Sequence, residues 1–142
     1  MFEEIIDGDQ LVAIIVRRDF RKDGIHFFTP DTFPQQLSHM QHPAGKIITP
    51  HVHKPNHREI HVTQEILLIK RGVLRVDFFT AGRAYLSSRQ LHEGDLVFLA
   101  SGGHGFKVLE DLEMIGIKQG PYVADDDKSR FEALADDEIR LG

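Results

Sequence analysis

Short, strand-like runs separated by turn chemistry constrain this chain more than anything else in it. Leu11–Val16, Lys46–Thr49, Glu65–Ile69, Val73–Phe79, Leu96–Leu99, Phe106–Leu109 and Met114–Lys118 are brief and rich in β-branched, aliphatic or aromatic residues. Between or beside them stand Asp7-Gly8-Asp9, Asp23-Gly24, Ala81-Gly82, Glu93-Gly94-Asp95 and Gly102-Gly103, pairings that favour tight reversals. A βαβ fold would need helices of ten or more residues between strands, and few stretches could supply them. The pattern predicts an all-β sandwich or barrel.

Within Val73–Phe79, Leu74, Val76 and Phe78 share one face while Arg75 and Asp77 occupy the other, the period-two signature of a half-exposed strand. Glu65–Ile69 is apolar on both faces, which predicts a strand covered on both sides, either under an N-terminal extension or in a homodimer interface. Asp31–Pro43, with two prolines and little periodicity, reads as a loop or short helix across the barrel. Phe131, Leu134, Ile139 and Leu141 partly match an amphipathic C-terminal helix, capped by Asp127 or Ser129. With 142 residues and no linker or repeat, the expectation is one domain spanning 1–142.

Composition narrows the function classes. The formal charge of −5 argues against a domain that neutralises phosphate backbones, so nucleic acid is not an expected partner. No run approaches the roughly 20 apolar residues needed to cross a bilayer. The acidic start MFEEIIDGDQ differs from a secretory leader, making the cytoplasm the expected location. The chain has no Cys, so thiolate metal sites and disulfides are excluded and any metal must sit on His and carboxylates.

Such ligands are concentrated around His51-Val52-His53. In extended backbone the two histidines would project from one face with Cα atoms about 6.5 Å apart, letting their imidazoles converge on one ion. His57, Glu59, His61, Glu65, His92 and His104 are the other candidate donors. Glu65 shares its side of the strand with Leu67 and Ile69, where a carboxylate is costly unless paired or coordinated. His104 is framed by Gly103 and Gly105, in a setting that can deliver a side chain to the mouth of a barrel. His26, His39, His42 and His92 have no spacing that recommends them.

Gly45, five residues, His51-Val52-His53, then Glu65, six residues and Gly72 resemble the first motif of the cupin superfamily. An 11-residue insertion, 54–64, stands where the family has three or four residues. Gly94, five residues, Ala100-Ser101-Gly102-Gly103-His104 is similar to the second motif, with Ala100 in place of Pro, one residue fewer before the His, and Val108 in place of Asn. The resemblance covers about residues 45–120. It implies a double-stranded β-helix, or jelly-roll barrel, with a short N-terminal extension and a C-terminal helix. It also implies a mononuclear metal site of His51, His53, Glu65 and His104.

The run from Gly102 to Tyr122 is similar to small single-domain cupins found near polysaccharide or nucleotide-sugar genes. Three imidazoles and a carboxylate suit Fe, Mn, Ni, Co or Zn. The expected activity is that of a metal-dependent small-molecule enzyme, an isomerase, epimerase or dioxygenase, with a sugar derivative as one substrate option. The alternative is a non-catalytic small-molecule- or metal-binding cupin. Gln64, Arg58, Lys118 and Tyr122 are candidate substrate contacts, no catalytic residue is assigned, and a homodimer is expected.

Overall fold

The structure is a computed structural model and describes residues 1–122 and 128–142. The chain forms two compact units, residues 1–20 with 62–142, and residues 21–61. The larger unit is a curled antiparallel sheet, and among the described residues there is no α-helix. It contains β1 (Phe2–Asp7), β2 (Gln10–Val16), β5 (Glu65–Phe79), β6 (Tyr85–Leu91), β7 (Leu96–Leu99) and β8 (Gly103–Lys118). The smaller unit holds one antiparallel hairpin, β3 (Gly24–Phe27) with β4 (Ser38–Gln41).

Strand order in the larger sheet is β1-β2-β7-β5-β6, with β8 along the other edge of β5. The first half of β5 lies between β7 and the end of β8; its second half lies between β6 and the beginning of β8. Two pairs of sequence runs therefore join into single strands. Glu65–Ile69 and Val73–Phe79 are one β5, and Phe106–Leu109 and Met114–Lys118 are one β8.

The junction in β5 is irregular for a physical reason. Register shifts fall between Ile69 and Leu74, and Gly72 has φ +92°. A Cβ at Gly72 would overlap the Asp111 carbonyl oxygen, so this crossing of backbones requires glycine. The shift also changes parity: Leu67 and Ile69 before it and Leu74, Val76 and Phe78 after it all enter one apolar core. Ala13, Ile15, Leu91 and Val97 complete the centre of that core, all fully buried.

Three expectations about local structure are corrected. Lys46–Thr49 is not a strand, and the segment through His51 and His53 carries no ladder. Part of Asp31–Pro43 is strand, because Ser38–Gln41 pairs with Gly24–Phe27. In place of the expected helix, the described tail is extended apart from one 3-10 turn, Asp136–Glu138. Its contacts favour that form: Leu141 makes a parallel bridge to Ser88, and Ser88 N donates to the Arg140 carbonyl at 2.8 Å. Ser129 caps nothing and instead accepts a hydrogen bond from Arg83 Nη2 at 2.7 Å, while Asp127 lies outside the described residues. No helix among the described residues is long and apolar enough to cross a membrane.

Candidate functional site

Glu65 begins β5, and His104 is the second residue of β8, in register with Phe78 near the far end of β5. The curl of the sheet nevertheless brings His104 Nε2 to 3.9 Å from Glu65 Oε2, with about a third of each side chain exposed. The turn that makes this possible is short. Ala100 N and Ser101 N both donate to the Val12 carbonyl, and Ser101 Oγ donates to the Leu11 carbonyl at 2.7 Å. Gly102 then adopts φ +71°, where a Cβ would overlap the Phe79 carbonyl oxygen. His104 is thus delivered by a glycine turn, as its sequence setting predicts.

Burial pushes the His104 imidazole below its ordinary pKa; the Glu65 carboxylate opposes that shift and Lys128 adds to it. A neutral ring keeps a nitrogen lone pair available to accept a proton or bind a cation. Lys118 is the direct register partner of Glu65, which puts a cation beside the carboxylate on the same face of the sheet.

The pair opens into a cleft of about 810 Å³ whose wall also includes Lys118, Lys128, Phe131 and Asp136. Phe131 from the tail packs edge to face on Phe79, with centroids 4.9 Å apart, and Arg83 lies over the Phe131 ring. Farther along the wall the outer face of β5 is polar but not exposed, which corrects the half-exposed reading of Val73–Phe79. Arg75 and Asp77 are only 7% and 5% exposed. They form a bidentate pair, Nε to Oδ1 at 2.9 Å and Nη2 to Oδ2 at 3.0 Å. Arg75 Nη1 also reaches Asp136 at 3.1 Å, and Lys107 Nζ reaches the same carboxylate at 2.7 Å. Two cations of the sheet therefore fasten the tail along the cleft.

The other expected ligands, His51 and His53, lie in the smaller unit and are exposed, with ring centroids 5.3 Å apart. His51 Nδ1 is 2.9 Å from the Thr49 carbonyl oxygen, an arrangement that leaves Nε2 outward when Nδ1 donates. Within the same unit, His57 is exposed and His61 stands 3.6 Å from Glu59. Among the described residues no group of three or more His, Asp or Glu side chains is placed to hold a metal ion. Of the four expected ligands, the structure thus brings Glu65 together with His104 and His51 with His53. In each pair, the donor chemistry, imidazole nitrogen with or without carboxylate oxygen, fits a divalent transition ion.

Of the candidate substrate contacts, Lys118 lines the cleft, while Arg58 and Tyr122 are exposed. Gln64 is buried: its backbone N donates to Gln119 Oε1 at 2.9 Å, and its side-chain Oε1 has no hydrogen-bond partner. Sequence reasoning missed Arg75, Asp77, Lys107, Lys128, Phe131 and Asp136. One signal was present, the opposite charges two residues apart within an otherwise apolar strand. The tail residues carried none.

Comparisons with family models, with curated proteins and with solved structures gave no match to this chain.

Proposed function

We propose that this chain is a metal-binding cupin, a jelly-roll protein that works as a metal-dependent enzyme on a small molecule. The observation that supports it best is the approach of Glu65 and His104 at the mouth of a cleft large enough for a metabolite. In this reading, Glu65 and His104 contribute to holding a divalent transition metal, and the working form is a homodimer. When bound, the ion would supply Lewis-acid polarisation of a substrate carbonyl, for isomerisation or epimerisation, or a centre for oxygenase chemistry.

The chain's own residues have separable tasks. His104, with its charged form disfavoured by burial, offers a neutral nitrogen, and Glu65 offers carboxylate oxygen. Phe79 and Phe131 give the cleft an apolar wall that excludes water from one side of a bound molecule. The Arg75–Asp136–Lys107 contacts hold that wall in place.

Elemental analysis of the purified protein beside Glu65→Ala and His104→Ala tests this reading. The expected result is near-stoichiometric metal in the parent protein and its loss in both variants, with circular dichroism unchanged. Undiminished metal in either variant overturns the ligand assignment.

A further inference from the structure

The second half of β8 is an apolar strand with one side left open. Residues 65–69 of β5 pair one by one with residues 118–114 of β8 without a register shift, yet among the described residues no strand pairs with the opposite edge of β8. The first half of that strand borders the cleft, whose wall includes His104, Phe106 and Lys107. The second half carries Met114, Ile115 and Ile117, which are 36%, 46% and 53% exposed. Sheet edges are ordinarily guarded by a charge, a proline or a bulge. Met114-Ile115-Gly116-Ile117 has no charge or proline, and the shifts of the β5–β8 ladder all lie before it in β8.

These exposed side chains end a continuous apolar row. Ile14, Phe98, Ile66 and Ile117 are register neighbours across β2, β7, β5 and β8. The first three are buried and Ile117 is not. Ile115 continues in the same way from Leu68. A further strand beside β8 would carry the rows on, and the chain itself supplies one that fits. Ile115-Gly116-Ile117 reads the same in both directions. Antiparallel pairing of this run with an identical one sets Ile115 opposite Ile117 twice and Gly116 opposite Gly116, on the self-complementary pattern of a two-fold contact. Met114 then stands opposite Lys118, whose aliphatic stem packs on it, and no like charges meet.

We propose that two copies of the chain pair antiparallel through Met114–Lys118, joining their sheets across a two-fold axis at Gly116. This gives the homodimer of the proposed function its interface and rests on that reading. Gly116 also ties the seam to the cleft. A Cβ on it would lie 3.8 Å from Glu65 Oε1, so the second copy runs along the side of the cleft that holds Glu65.

Sedimentation velocity of the full chain over a range of concentrations, beside two double variants, tests the proposal. The parent protein is expected near twice the chain mass of 16.2 kDa. Ile115→Lys/Ile117→Lys sets like charges opposite one another and should weaken dimerisation at least tenfold. Ile115→Glu/Ile117→Lys sets opposite charges there and should restore it. The chain has no cysteine, so disulfide formation gives a second reading with milder changes. A mixture of Ile115→Cys and Ile117→Cys proteins should crosslink severalfold more than either alone, because directly opposed residues lie within disulfide reach. A parent protein that stays monomeric overturns the interface and the homodimer reading together, with a strand of another protein as the remaining occupant of the edge. A parent dimer that the lysine variant leaves intact, or crosslinks formed equally by the single variants, overturns this interface alone. Mass is read here and not metal, so the outcome is independent of the ligand assignment.

Discussion

Glu65 and His104 are in contact range at 3.9 Å although His104 pairs with Phe78, 13 residues farther along β5 than Glu65. On a straight strand that separation would span roughly 43 Å, at a rise of about 3.3 Å per residue. Curling of the β5–β8 ladder therefore creates the pair, and the glycine at its irregular midpoint is as much a part of the site as the two side chains.

Gly72→Ala should cost about 3 kcal/mol, since alanine meets both a positive φ and the Asp111 carbonyl. Urea unfolding measures this directly. A variant as stable as the parent protein would show that the ladder can bend without this close crossing.

The buried Arg75–Asp77 pair makes a sharper distinction. Asp77→Ala leaves Arg75 with Asp136 alone, deprives Ser88 Oγ of its acceptor, and should destabilise by about 3 kcal/mol. The double variant Arg75→Met/Asp77→Leu should recover most of that loss, because no unpaired charge remains buried. A double-mutant cycle checks the coupling, and additive losses would show that the two side chains act independently.

Asp136 sets a pH dependence. Hydrogen bonds from Lys107 and then Arg75 hold its carboxyl below the ordinary Asp range. A carboxyl with a depressed folded-state pKa contributes stability above its unfolded pKa and loses it as pH falls through the folded value. The parent protein should therefore be more stable than Asp136→Asn near neutrality, and the difference should vanish in acid, below the usual Asp range. Because the carboxylate is largely exposed, added salt should shrink the difference. Thermal melts of both proteins across pH and salt give the comparison.

Much of the sheet was legible because local chemistry and tertiary structure agree. Leu11–Val16 and Leu96–Leu99 are strands, and the Gly8, Gly82, Gly94 and Gly102 turns connect strands. Leu74, Val76 and Phe78 are core because alternation in β5 is honest on that face. The other face was misread because its cover comes from the tail, some 60 residues away in sequence, where Asp136 neutralises Arg75. Lys46–Thr49 has strand-like residues, but among the described residues no strand pairs with it, and propensity alone does not make a ladder. Of the site, His104 could be read from its flanking glycines and Glu65 from the apolar residues that share its side. Lys128 and Phe131 could not, since nothing in an irregular tail announces where it docks.

X-ray absorption at the edge of the bound metal tests the central claim most directly. The account predicts a shell of nitrogen and oxygen only, at about 2.0–2.2 Å, that changes in both Glu65→Ala and His104→Ala, with weaker histidine multiple scattering in the latter. A metal whose shell lacks imidazole, or is unaffected by both substitutions, would contradict it.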